Sequence, residues 1–330
     1  MPDSAVTDAL SRLERHALQT RAVVLRGPGD LELRELALPE PGQEDVVVDV
    51  EASGVSAGTE RLLWTGRMPP FPGLGYPLVP GYESVGTITH AGAESGRKTG
   101  ERVFVPGARC FGEIRGLFGG AASRLVVAGR RVSPVAAELG DRAVLLALAA
   151  TAYHALDLAD ARPPDVIVGH GVLGRLLARV AIARGEAPPT VWETSPARLT
   201  GGQGYAVMHP DADTRHDYLS ICDVSGDASL LDKLIGRLRP GGEVVLAGFY
   251  HDRVSFAFPA AFQREVRLRV AAEWQPKDLA RVSELAASGR LNLDDLITHR
   301  AAAADAASAY ATAFDDPSCL KMILDWRTFQ

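Results

Sequence analysis

Val166-Ile167-Val168-Gly169-His170-Gly171-Val172-Leu173-Gly174 decides the fold of this chain. A β-branched run enters G-x-G-x-x-G, and Arg175 to Ala183 continues with helical spacing. Strand, glycine turn and helix N-terminus together make an anion-binding unit, because free amides and the helix dipole converge on one point. Gly169 permits the tight turn, Gly171 lets backbone approach a pyrophosphate, and Gly174 lets helix and strand pack closely. The next apolar run, Thr190-Val191-Trp192, ends in Glu193, 19 positions after Gly174. A carboxylate at that spacing accepts from an adenosine ribose diol. The reading is a bound dinucleotide, contacted by Gly169, His170, Gly171, Val172, Leu173, Gly174, Glu193 and Arg198. Glu193 favours NAD, since it would repel a 2′-phosphate; Arg198 could soften that preference.

The texture of the chain divides around this unit. From Arg21 to about Val135, short β-rich runs such as Val46–Val50, Ser84–Ile88 and Arg102–Val105 alternate with glycine and proline turns. From about Ala147, strand and helix alternate, which predicts a doubly wound parallel sheet. The expected fold class is α/β: a β-rich catalytic domain plus a Rossmann domain. The boundaries read as an N-terminal extension over 1–20, a catalytic domain over 21–146, a nucleotide domain over 147–275 and a return to the catalytic domain over 276–330.

Composition bounds function. The 330 residues carry a net charge of −6 and no basic run, which argues against a nucleic-acid partner. No apolar stretch approaches the roughly 20 residues of a membrane span, and residues 1–20 lack the apolar core of a signal peptide. Cys110, Cys222 and Cys319 are sparse and show no metal-ligand spacing, as expected of reduced thiols in a cytoplasm.

The order of β-domain, nucleotide domain and short return resembles the medium-chain dehydrogenase/reductase superfamily, with its GroES-like catalytic domain. The pieces carrying the likeness are Ser53-Gly54-Val55-Ser56, Pro80-Gly81-Tyr82-Glu83-Ser84-Val85-Gly86, Pro240-Gly241-Gly242 and Leu296-Ile297-Thr298-His299. Zinc members of that superfamily hold a catalytic metal with three side chains. The corresponding positions here are Ser56, Tyr82 and Ala147, which do not supply a tetrahedral zinc set. The four-cysteine structural-zinc lobe is also missing from the sequence. The expectation is no metal.

A closer likeness is to the bacteriochlorophyllide a dehydrogenases. It rests on Gly54-Val55-Ser56-Ala57-Gly58-Thr59-Glu60, Thr65–Gly73, Gly116–Ser123, Ala271–Pro276 and Cys319–Trp326. The resemblance implies oxidation of the 3-(1-hydroxyethyl) group of a bacteriochlorin to 3-acetyl with a nicotinamide cofactor. It leaves open a homodimer and a loose association with photosynthetic membranes. Without a metal, a side chain or water must bond the alcohol oxygen and take its proton. The candidates are Tyr82, Ser56, Thr59 and Glu83. Tyr82 leads if its pKa is lowered; otherwise it fills the volume a metal and its ligand would occupy. Glu83 reads as structural as readily as catalytic, and His154 as a packed or solvated helix residue.

A bacteriochlorin is a flat, apolar, magnesium-bearing plate. Trp64, Met68, Phe71 and Phe118 are the expected substrate contacts, on loops stiffened by proline or rich in glycine, with Phe111, Leu74, Tyr76 and Leu117 nearby. Arg67 and Arg115 on the same loops could meet a propionate carboxylate. Two other readings stay open: a zinc-independent quinone or enoyl reductase of the superfamily, and a nucleotide-binding protein without catalysis.

Overall fold

The computed structural model describes residues 18–70 and 72–330. The expected extension therefore lies, but for its last three residues, outside the described residues. The β-rich half forms two sheets. One is four-stranded, in the order β2 (Asp30–Ala37), β1 (Gln19–Gly27), β4 (Leu78–Val79), β7 (Arg115–Gly116). The other is seven-stranded and built around β3 (Asp45–Val55). It runs from β3 through β5 (Ser84–Ala91) and β6 (Arg102–Val105) to β9 (Ser133–Pro134), while β8 (Arg124–Ala128) also pairs with β3. Val46, Val48 and Val50 are fully buried on β3, where alternation turns one face of a half-buried strand inward.

The nucleotide half is a six-stranded sheet in which every pairing is parallel. Its order is β12 (Ala206–Met208), β11 (Thr190–Trp192), β10 (Val166–Val168), β13 (Tyr218–Asp223), β14 (Leu238–Leu246), β15 (Arg267–Val270). Val166 and Ile167 are fully buried, as a parallel strand covered on both faces requires. The chain turns from β10 to β11 at one side and crosses to β13 on the other. The cleft at their C-terminal ends is thus a topological switch point, where ligands of open α/β sheets bind.

Three helices matter for the site: α1 (Thr59–Trp64), α2 (Leu146–Leu156) and α3 (Val172–Ala183). Two others, α4 (Leu231–Arg237) and α5 (Phe258–Gln263), flank β14 and β15. The segment after β15 does not return at once to the first half. Helix α6 (Pro276–Ala287) packs against α2, capped by Gln275 and Asp278, and buries Leu279, Val282 and Leu285 there. The return comes with β16 (His299–Ala302) and β17 (Met322–Asp325), which pairs with β3. The last helix, α7 (Ala306–Asp315), lies between them in sequence. Of the stretch Leu296-Ile297-Thr298-His299 only His299 enters the strand, while Leu296 is fully buried in the core beside α6.

Candidate active site

The glycine turn adopts the geometry that its spacing demands. Gly169 has φ +103°, which disfavours any side chain there. A Cβ on Gly174 would stand 1.9 Å from the Gly169 carbonyl oxygen, so helix and strand approach as closely as they do only with glycine. Gly171 caps α3 with extended backbone, and the nearest atom to a Cβ there would be an Arg198 guanidinium nitrogen at 3.8 Å. Gly171, Val172, Leu173, Gly174 and Arg198 all line one large cleft. This open cradle of amides at a helix N-terminus fits a dinucleotide pyrophosphate.

Glu193 stands at the end of β11 and faces the turn. Its Oε2 accepts from the His170 amide at 2.9 Å, and its Oε1 accepts from the Thr194 and Ser195 amides at 2.8 and 2.7 Å. The carboxylate thus fixes both loops, with lone pairs remaining for a ribose diol. His170 needs correction as a contact residue. Its ring is fully buried, with Nδ1 2.6 Å from the Arg198 carbonyl and Nε2 2.9 Å from the Tyr205 hydroxyl. Burial pushes its pKa down to about 4, so it stays neutral. Only its backbone faces the turn.

Across the cleft, three hydroxyls meet. The Tyr82 hydroxyl is 2.6 Å from Ser56 Oγ and 3.4 Å from Thr59 Oγ1. Ser56 follows β3, Thr59 opens α1, and Tyr82 precedes β5. The β3–β5 pairing therefore sets the cluster. Phe118 stands edge-on to Tyr82, ring centroids 5.4 Å apart. The lowered pKa on which a leading role for Tyr82 is conditional is not what the site produces: burial, reinforced by the Glu83 charge, pushes it up. Held protonated, the phenol can donate a hydrogen bond into the cleft.

Two buried carboxylates lie behind the cluster. Glu83 is an ion-pair partner: Lys321 Nζ lies 2.9 and 2.7 Å from its two oxygens and donates also to the Val55 carbonyl. Glu83 is fully buried and Lys321 nearly so. A Cβ on Gly54 would come within 2.1 Å of Glu83 Oε2, which explains the glycine. Glu60 accepts from the Ser56 amide at 2.9 Å and from the Tyr310 hydroxyl at 2.6 Å. Burial raises its pKa to about 7.

The cleft has a volume of about 1070 Å³. Met68, Leu117, Phe118, Leu148, Trp274 and Phe314 give it apolar walls. Trp64 does not line it; it packs on Phe314 at 6.3 Å in the β-domain core. Phe71 lies outside the described residues. Phe111 is buried in the core, and Leu74 and Tyr76 support the loop from a small cluster beneath. Neither loop arginine lines the cleft: Arg67 bonds His251, and Arg115 covers Gly75. His154 pairs with Asp278 at 2.9 Å, a packing role.

Sequence reasoning missed the buried Glu60 and Lys321 beside the hydroxyl cluster. Glu60 sits inside a stretch already singled out, so an acidic residue beside the hydroxyls was the available signal. Lys321 had none, since its partner is 238 positions away.

The donor set does not fit a catalytic zinc. Ser56 and Tyr82 offer neutral hydroxyls, Ala147 offers a buried methyl, and Glu83 is consumed by Lys321. Among the described residues no three His, Cys, Asp or Glu side chains are grouped to hold a metal.

This fold, with a dinucleotide turn facing a hydroxyl cluster across a cleft, defines an alcohol dehydrogenase-type oxidoreductase with a nicotinamide cofactor. The family model of the alcohol dehydrogenase GroES-like domain matches residues 42–137. The chain is 57% identical over 311 residues to the 2-desacetyl-2-hydroxyethyl bacteriochlorophyllide A dehydrogenase of Rhodobacter capsulatus, covering 94% of this chain and 99% of that protein. It is 55% identical over 315 residues to the protein of the same name from Cereibacter sphaeroides, again with 94% and 99% covered. An Escherichia coli alcohol dehydrogenase solved with NADH shares the fold at TM-score 0.79 and 19% identity, covering 93% of this chain and 99% of the other. The chain belongs to the family of the 2-desacetyl-2-hydroxyethyl bacteriochlorophyllide A dehydrogenases. No helix among the described residues is long and apolar enough to cross a membrane.

Proposed function

We propose that the chain oxidises the 3-(1-hydroxyethyl) group of a bacteriochlorophyllide to 3-acetyl, using NAD and no metal. The observation that carries this reading is the Ser56–Tyr82–Thr59 cluster, set in an apolar-walled cleft that also holds the glycine turn. Gly171, Val172, Leu173, Gly174 and Glu193 would hold NAD, which would supply the hydride acceptor for the carbinol carbon. The hydroxyls bond the alcohol oxygen and pass its proton out to solvent water at the open side of the cleft. Tyr82 acts as a neutral donor and relay with Ser56, consistent with its raised pKa. Met68 and Phe118 are the substrate-facing side chains that match a flat apolar plate.

Glu193 supports NAD over NADP, because a 2′-phosphate would meet a carboxylate already fixed by three amides. The zinc-free part of the proposal rests on the donor set at Ser56, Tyr82 and Ala147. The test is incubation of the purified protein with NAD and the hydroxyethyl pigment. A red-shifted acetyl spectrum supports the reading; an unchanged spectrum with active pigment and cofactor present overturns it.

A further inference from the structure

We infer that Arg61 is the residue that recognises the carboxylate of the substrate's propionate arm, and so selects the free acid over an esterified pigment. The inference rests on the bacteriochlorophyllide reading above. Helix α1 presents two faces. Glu60 and Leu63 are buried behind it, whereas Thr59 and Arg61 face the cleft. Thr59 belongs to the hydroxyl cluster, and Arg61, two residues along the same helix, also lines the cleft.

Arg61 is exposed, and among the described residues its guanidinium has no ion pair and no hydrogen bond. The other cations of the cleft are engaged. Arg198 donates to the Pro317 carbonyl and stands by Gly171, at the phosphate end. Lys321 is spent on Glu83. A planar guanidinium with a free edge, beside the hydroxyl cluster and the apolar walls of the cleft, matches a carboxylate through two parallel hydrogen bonds. The pyrophosphate is served by the α3 amides and Arg198, which leaves the substrate as the source of the anion for Arg61. Arg67 and Arg115, the cations that the loops suggested, point elsewhere.

The test measures dissociation constants for the free-acid pigment, for its methyl ester and for NADH, on wild type, Arg61→Gln and Arg61→Lys. Pigment binding is read by quenching, independently of turnover. Arg61→Gln is expected to weaken free-acid binding about 10- to 100-fold, as loss of a charge-assisted pair does. The ester and NADH should bind as to wild type, and Arg61→Lys should recover part of the loss. Equal weakening of acid and ester, no weakening at all, or a loss confined to NADH each overturns the assignment; the last would place Arg61 on the cofactor phosphates. Turnover measured on the same wild-type sample tests the functional reading separately. A protein that binds the acid through Arg61 but oxidises nothing refutes that reading and not this one. A wild type that binds neither pigment overturns both.

Discussion

The Tyr82 hydroxyl lies 2.6 Å from Ser56 Oγ, where zinc relatives of this fold would carry metal ligands. Neither oxygen ionises near neutral pH, so the pair can pass a proton but cannot retain it. Tyr82→Phe keeps the ring against Phe118 and removes only the donor. Turnover is expected to fall roughly 10²–10⁴-fold with NADH binding unchanged. A variant within a few-fold of wild type would make Tyr82 a filler. Ser56→Ala, assayed beside it, shows whether the other hydroxyl carries the proton instead.

Metal content follows from the same positions. Protein purified without chelator should hold less than stoichiometric zinc, and chelator treatment should leave turnover intact. Elemental analysis finding one tightly bound zinc per chain, with activity lost on its removal, would refute the metal-free mechanism.

The glycine turn was legible because its logic is local: Gly169, Gly171 and Gly174 impose backbone geometry that nine consecutive residues fully specify. The hydroxyl cluster was half legible. Ser56 and Tyr82 could be named from motif positions, but the direction of the Tyr82 pKa depends on burial and on Glu83. His170 and Trp64 were misplaced because sequence does not say which way a ring turns. His170 donates from Nδ1 to the Arg198 carbonyl and accepts at Nε2 from the Tyr205 hydroxyl, and Trp64 found Phe314 on α7. The Glu83–Lys321 and Glu60–Tyr310 contacts join strands and helices from opposite ends of the chain, 238 and 250 positions apart, with no local pattern to announce them.

Glu83 and Lys321 form a buried pair whose value lies in mutual neutralisation. Lys321→Met leaves an uncompensated carboxylate and should cost about 3–5 kcal/mol in denaturant unfolding. Glu83→Gln with Lys321→Met together should be milder than Lys321→Met alone. Additive or larger loss in the double variant would show that the two charges do not compensate each other.

Glu60 gives stability a definite pH dependence. Burial raises its folded pKa to about 7 from the 4.5 of an exposed glutamate, so the folded state holds a proton that the unfolded chain releases. Its contribution is complete below about pH 4.5 and is lost as pH rises through 7. Between these limits, wild type should lose stability relative to Glu60→Gln, on the order of 3 kcal/mol in all. Parallel curves for the two proteins would mean that Glu60 titrates normally.

Cofactor choice is read at Glu193. Glu193→Ser should narrow the NAD-over-NADP preference by about 1–3 kcal/mol, measured as the ratio of kcat/KM values. An unchanged ratio would show that the carboxylate serves only the loop amides.

The central claim is direct hydride transfer from the carbinol carbon to NAD in this cleft. Pigment deuterated at that carbon, incubated with NAD and chelator-treated protein, tests it in a single measurement. NADH should carry one deuterium and form in equal amount with the acetyl pigment. Acetyl product with unlabelled NADH, or label released to water, would contradict it.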